Sequence, residues 1–315
     1  MAIQALADVC SGGDPAQERQ DRREAVTVRE LSERLDREHI SIRVKESTAK
    51  EYRRNLKRFI LPALGRLRVT EVSRADIAKF HHDLRHIPYQ ANRNLEIVSK
   101  MFSLAEMWGL RPDGSNPRKH IRKYLEEKRE RFLSAAELKR LGEVLNEMEA
   151  ERVEHASAIA AVRLLIRTGC RLNEIMKLKW EHVDLGDSAL RLPDSKTGAK
   201  VLHLGQAAVD FLASLERQPF NPHVIAGTLR GKPLSDLQPF WQRVRARAGL
   251  KDVRIHDLRQ TFASVAVASG HGLPMIGKLL GHTQVQTTAR YAHVAGDPVR
   301  AAANNVASEL AARLA

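Results

Sequence analysis

The sequence predicts a mainly α-helical chain with a small β-sheet, of the α+β class, in which a four-helix N-terminal domain precedes a larger second domain. Three observations lead there. Apolar residues recur at helical spacing along most of the chain, a basic stretch marked by proline and glycine interrupts them at 111–130, and two short apolar runs flank a turn-rich segment in the second half. The chain has 315 residues, 43% of them hydrophobic, enough for about two packed domains.

Residues 1–24 contain Ser11-Gly12-Gly13-Asp14-Pro15 and then a charged run, too polar to bury a core, and read as a flexible extension. From 25 to 110 the apolar positions form four helical sets: Val28, Leu31 and Leu35; Tyr52, Leu56, Phe59 and Ile60; Ile77, Phe80 and Leu84; and Leu95, Val98, Phe102 and Ala105. Ser73 with Asp76 has the spacing of a capping pair, while Pro62, Gly65 and Pro88 separate the sets. Residues 111–130 bring Pro112, Gly114, Pro117 and seven basic residues, a composition that packs poorly and reads as an interdomain linker.

The second domain, 131–315, opens with Ser134 and Glu137, another capping pair, ahead of a helix running toward Met148. A further helix is predicted from about Val153 to Thr168, stopped by Gly169. Ala189–Leu192 and Lys200–Leu204 then flank Asp194-Ser195-Lys196-Thr197-Gly198 and predict a β-hairpin. Helical spacing returns at Ala207–Leu215, at Leu237–Ala248 and from His256 onward, with breaks at Gly270–Pro274, Gly281–Thr283 and Gly296–Pro298. A last helix, 297–315, carries an apolar stripe of Val299, Ala303, Val306, Leu310 and Leu314 that something must cover.

With 52 Lys+Arg against 38 Asp+Glu the chain carries a net +14, so its expected partner is a polyanion. The segments 1–24, 25–110, 111–130 and 131–315 carry −2, +6, +3 and +7, which spreads the excess over both domains rather than into a tail. Cys10 and Cys170 are too few for a disulfide framework or a structural zinc site. No run of about 18 apolar residues and no signal-peptide pattern is present, so a soluble cytoplasmic protein with no membrane partner is expected.

Common nucleotide signatures fail. Gly227-Thr228-Leu229-Arg230-Gly231-Lys232-Pro233 has the wrong spacing for a phosphate loop and a proline where Ser or Thr would hold magnesium, so no ATP site is expected. His82 and His86 lie one helical turn apart without further ligands and read as a solvated helix face, so no metal is assigned.

A set of basic and proton-transferring residues at segment ends remains. Arg171 stands in Thr168-Gly169-Cys170-Arg171-Leu172-Asn173-Glu174-Ile175, Lys196 on the hairpin, and His256 and Arg259 in His256-Asp257-Leu258-Arg259. His282 follows in Leu279-Leu280-Gly281-His282, and Tyr291 in Ala289-Arg290-Tyr291-Ala292-His293. Each fragment alone has an ordinary reading as a surface pair, a helix cap or a packed tyrosine. In this order, and with His282 nine residues before Tyr291, they resemble the tyrosine recombinase (phage integrase) family, from roughly Val26 to the C-terminus.

Attack on a DNA phosphodiester builds negative charge on the non-bridging oxygens, and a guanidinium offers that charge a permanently protonated planar fork. Arg171 and Arg259 suit this task, and helical spacing places His256 and Arg259 on one face. Glu174, one turn after Arg171, is expected to orient it. The resemblance implies the remaining roles: Tyr291 as nucleophile, His256 as its proton acceptor, Lys196 as proton donor to the leaving 5′ oxygen, and His282 as donor to a non-bridging oxygen. A phenol with a pKa near 10 is only about a thousandth ionised at pH 7, so Tyr291 needs such help. The scheme calls for no cofactor.

The resemblance further implies double-stranded DNA as partner, a homo-tetramer on two DNA sites, and a C-terminal helix that docks on a neighbour. Packing that helix within its own chain is the ordinary solution, and the sequence does not choose. Residues 1–24 are too short for the arm-site domain that many phage integrases carry, which leaves open a need for DNA-bending proteins or a directionality factor. Two other readings compete. One is a non-catalytic regulator that uses Leu273–Leu280, a turn at Gly281–Thr283 and Val285–Val294 as a helix-turn-helix. The other is a type IB topoisomerase, with the same chemistry but no strand exchange.

Overall fold

Thr27 starts the first helix of the computed structural model: its side chain accepts from the N–H of Glu30, whose carboxylate takes the Thr27 N–H in return. The structure describes residues 25–127, 129–193, 198–281, 288–289 and 298–314, divided into two units after residue 128.

In the first unit, α1 (Val28–Leu35) continues through a wide π-type turn at Asp36–Ile40. The next helix, α2 (Glu46–Asn55), continues through another at Leu56–Ile60, where the Leu61 N–H reaches back to the Leu56 carbonyl. Pro62 follows directly, and an interior proline, lacking an N–H, breaks the regular four-residue ladder at this place. Ser73 and Asp76 form the expected capping box of α3 (Arg74–Asp83), and Pro88 begins α4 (Pro88–Met107). Val28, Leu31, Leu35, Leu56, Ile60, Ile77, Phe80, Leu95, Val98, Phe102 and Ala105 share one core, with Tyr52, Phe59 and Leu84 at its margin.

Residues 111–127 contain no helix or strand, yet they do not pack poorly. Buried Asn116 donates to the Ser99 carbonyl at 2.9 Å and the Ser103 hydroxyl at 3.0 Å, both on α4. Arg111 donates to the carbonyls of Val69 and Val72. Tyr124 stacks on His81 at 4.3 Å, and its N–H donates to the Asn92 side chain at 2.9 Å. These polar anchors, with Ile121 packed against the core, fix a segment whose composition is otherwise mostly polar. His82, on the last turn of α3, and His86, in the turn beyond the end of α3, are both exposed, so the expected shared helix face does not reach His86.

The second unit begins with α5 (Ala135–Glu151), capped by Ser134 and Glu137, and α6 (Ala156–Thr168), which starts three residues later than expected because the His155 side chain accepts the Ser157 N–H. After α7 (Leu172–Met176), an antiparallel sheet runs in the order β1 (Val183–Asp184), β2 (Ala189–Leu192), β3 (Lys200–His203). The pairings Leu190 with Leu202 and Leu192 with Lys200 fix the hairpin register. Residues 194–197 of its turn, Lys196 among them, lie outside the described residues.

Helices α8 (Gln206–Ser214), α9 (Gln238–Arg247), α10 (Ile255–Ala268) and α11 (Leu273–Leu280) follow. α6 is the central element, packed against α7, α8 and α10, while α11 packs on α10 and β3. The core joins Leu141, Leu145, Ile159, Leu165, Leu190, Leu202, Trp241 and Leu258. On the last helix, α12 (Pro298–Leu314), Ala303, Val306, Leu310 and Leu314 are exposed. Among the described residues no helix is long and apolar enough to cross a membrane.

Candidate active site

Gly169 closes α6 with φ +62°, and a Cβ there would lie 2.6 Å from the Phe262 ring on α10, so this turn accepts only glycine without movement. The close approach brings the α6–α7 junction onto α10 and sets Arg171 two residues away. Arg259, buried on α10, spans the gap from the other side. Its Nη1 donates to the Gly169 carbonyl at 2.5 Å and its Nη2 to the Leu280 carbonyl at 2.8 Å. Both carbonyls lie at helix C-terminal ends, where the peptide dipoles leave negative partial charge for a cation. One guanidinium thus joins the segment that bears Arg171 to the one that leads into His282.

Arg171 precedes α7, and Glu174 one turn on satisfies it twice. The Arg171 N–H donates to Glu174 Oε2 at 2.9 Å and its Nη1 to Oε1 at 3.0 Å. Lys200 Nζ lies 2.8 Å from the same Oε1. Burial alone would push the Glu174 carboxyl up, but Lys200 and Arg171 together hold it below its ordinary value. Burial lowers the Lys200 ammonium, an effect that Glu174 partly offsets. Cys170, beside them, is buried, and that burial pushes its thiol up to about 11.

His256 is exposed on the first turn of α10, three residues before Arg259. Asp257 fixes this turn: its carboxylate accepts from the Arg254 N–H at 2.8 Å and from Arg129 at 3.2 Å. Lys196, His282 and Tyr291 lie outside the described residues, as does all of Val285–Val294 except 288–289. Their neighbours are placed. Gly281, with φ +64°, sits so close to β3 that a Cβ would meet Leu202 at 2.9 Å and Lys200 at 3.0 Å. Thr288, buried, lies against Gly277 of α11, where a Cβ would be 3.1 Å from its hydroxyl.

Two residues of this cluster escaped sequence reading. Gly169 was legible only as a helix stop. Lys200 had a readable signal, because on β3 it has the same parity as buried Leu202 and so faces inward. Among the described residues no cluster of three His, Cys, Asp or Glu side chains could hold a metal ion.

The family model described as "Phage integrase family" matches residues 131–297, more than half of the chain. The chain belongs to the phage integrase family. A second model, "Phage integrase, N-terminal SAM-like domain", matches residues 27–85 of this integrase-family chain. The shufflon-specific DNA recombinase of Escherichia coli is 28% identical over 204 residues, 64% of this chain and 50% of that protein. Tyrosine recombinase XerD of Staphylococcus aureus is 28% identical over 151 residues, 44% of this chain and 50% of that protein. The chain thus spans about half the length of the curated relatives it matches. A lambda integrase dimer bound to a COC′ core site has the same fold, with a TM-score of 0.72 and 21% identity over 92% of this chain and 84% of that one.

Proposed function

We propose that this integrase-family chain is a site-specific DNA recombinase that cuts and rejoins duplex DNA through a covalent 3′-phosphotyrosine at Tyr291. The observation that carries the reading is the single buried Arg259, which ties the Arg171 segment to the segment entering His282. In the proposed step the Tyr291 oxygen bonds to phosphorus as the bond from phosphorus to the 5′ oxygen breaks. His256 takes the phenol proton, and Lys196 gives one to the leaving 5′ oxygen. Arg171, Arg259 and His282 stabilise the charge on the non-bridging oxygens, with Glu174 orienting Arg171. The phosphotyrosine conserves the energy of the broken bond, so a 5′ hydroxyl from another strand reverses the step without ATP.

Exchange between two duplex sites cleaves four strands, each needing one tyrosine, which calls for four protomers. The exposed stripe of Val306, Leu310 and Leu314 offers an apolar face for docking between them. In this reading 25–110 is a DNA-binding domain, 111–130 its linker and 131–315 the catalytic domain, in a protein that works at the nucleoid in the cytoplasm. The regulator and topoisomerase readings are not favoured, since neither adds an observation of its own.

The test offers nicked duplexes drawn from the DNA beside the coding sequence and looks for a covalent protein–DNA band. The expected result is a band with the wild-type chain that is absent with Tyr291→Phe. Specific binding without any band would sink the proposal.

A further inference from the structure

Lys200 takes no part in the step just described, yet its ammonium is buried in the same cluster. Its side chain is 10% exposed, and lysine is rarely so enclosed unless a partner holds it. That partner, Glu174, is 5% exposed and also serves Arg171. Two cations on one carboxylate leave the cluster with a net positive charge. The Lys200 stem also lies against the backbone of Gly281, immediately before His282. β3 therefore delivers one side chain to both of the segments that Arg259 joins.

We infer that Lys200 is a positioning residue for strand cleavage, which shares the Glu174 carboxylate so that Arg171 keeps charge and donors for a DNA phosphate. The inference rests on the recombinase reading above. Glu174 Oε2 is engaged with the Arg171 backbone, and Oε1 is divided between Arg171 and Lys200. Without the ammonium, Oε1 belongs to Arg171 alone. The two then form a neutral one-to-one pair, and the guanidinium is drawn down onto the carboxylate and away from substrate. Arginine at 200 would keep the positive charge, whereas methionine would keep only the stem.

The experiment measures single-turnover cleavage by the full chain on a nicked duplex that the wild type cleaves, with DNA varied to saturation. Lys200→Met should slow cleavage at saturating DNA on the order of tenfold, less than loss of a donor touching the phosphate, with the half-saturating DNA concentration unchanged. Lys200→Arg should restore most of the rate. The loss should persist on a duplex whose scissile 5′-bridging oxygen is sulfur, a leaving group that needs no proton. If Lys200→Met does not fold, Lys200→Gln carries the same comparison. The inference falls if the neutral variant cleaves at the wild-type rate, if Lys200→Arg is as slow, or if the loss vanishes on the sulfur-bridged duplex. That last result would make Lys200 the proton donor itself. A wild-type chain that forms no adduct ends the recombinase reading, whereas equal adduct formation by wild type and Lys200→Met ends only this one.

Discussion

Arg259 and Gly169 lie 90 residues apart in sequence and meet through a 2.5 Å hydrogen bond from guanidinium to carbonyl. The same guanidinium binds the Leu280 carbonyl, and a lysine has no fork to reach both. Arg259→Lys should therefore leave a buried carbonyl unpaired, at a cost of about 1–3 kcal/mol in urea unfolding. Strand cleavage should fall by roughly a hundredfold or more, as when a transition-state donor is lost. Cleavage at the wild-type rate would separate Arg259 from the chemistry.

Gly169→Ala places a methyl 2.6 Å from the Phe262 ring at a backbone angle that alanine disfavours. Overpacking of this kind costs about 1–3 kcal/mol. Phe262→Leu in the same chain should recover part of the loss, and a double-mutant cycle by thermal or urea unfolding measures the coupling.

Glu137 links acid stability to the start of the second unit. Its hydrogen bonds from Arg131 and from the Ser134 N–H hold its carboxyl at about 2, below the ordinary 4.5. The group is protonated more readily when unfolded, so its stabilising contribution is complete above pH 4.5 and is lost as pH falls toward 2. Urea midpoints measured across that range should fall less steeply in Glu137→Gln than in wild type.

Duplex binding should weaken linearly on a log–log plot against salt, with a slope of about −0.9 for each phosphate neutralised. The net charge of +14 is spread along the chain, so several phosphates are expected to contribute. Fluorescence anisotropy over a salt series gives the slope. Affinity indifferent to salt would remove the electrostatic basis for a DNA partner.

The fold was legible wherever local chemistry and hydrophobic period agree. Ser73 and Ser134 cap the helices their spacing announced, and Gly169 stops α6 where expected. Two-residue β1 is too short for any period to reveal. The order in 111–127 depends on Asn116 finding carbonyl and hydroxyl partners on α4, which no local pattern encodes. At the site, sequence spacing placed Glu174 beside Arg171, because three residues make one helical turn. Spacing also set His256 and Arg259 three residues apart on α10, but it did not show that His256 is exposed and Arg259 buried among backbone carbonyls. Spacing encodes direction along a helix, but depth depends on what packs above it.

The pairing of Leu192 with Lys200 also bears on how the hairpin finds its partners during folding. A slip of one residue would turn Val201 inward and Lys200 out, leaving the Glu174 carboxylate enclosed with Arg171 as its one cation. Hydrophobic contact alone discriminates weakly against such a slip, since valine is at home inside. Loss of Lys200 from the enclosed Glu174 carboxylate adds to that discrimination. Charge at the heart of this cluster therefore reinforces the register that the hydrophobic pattern sets.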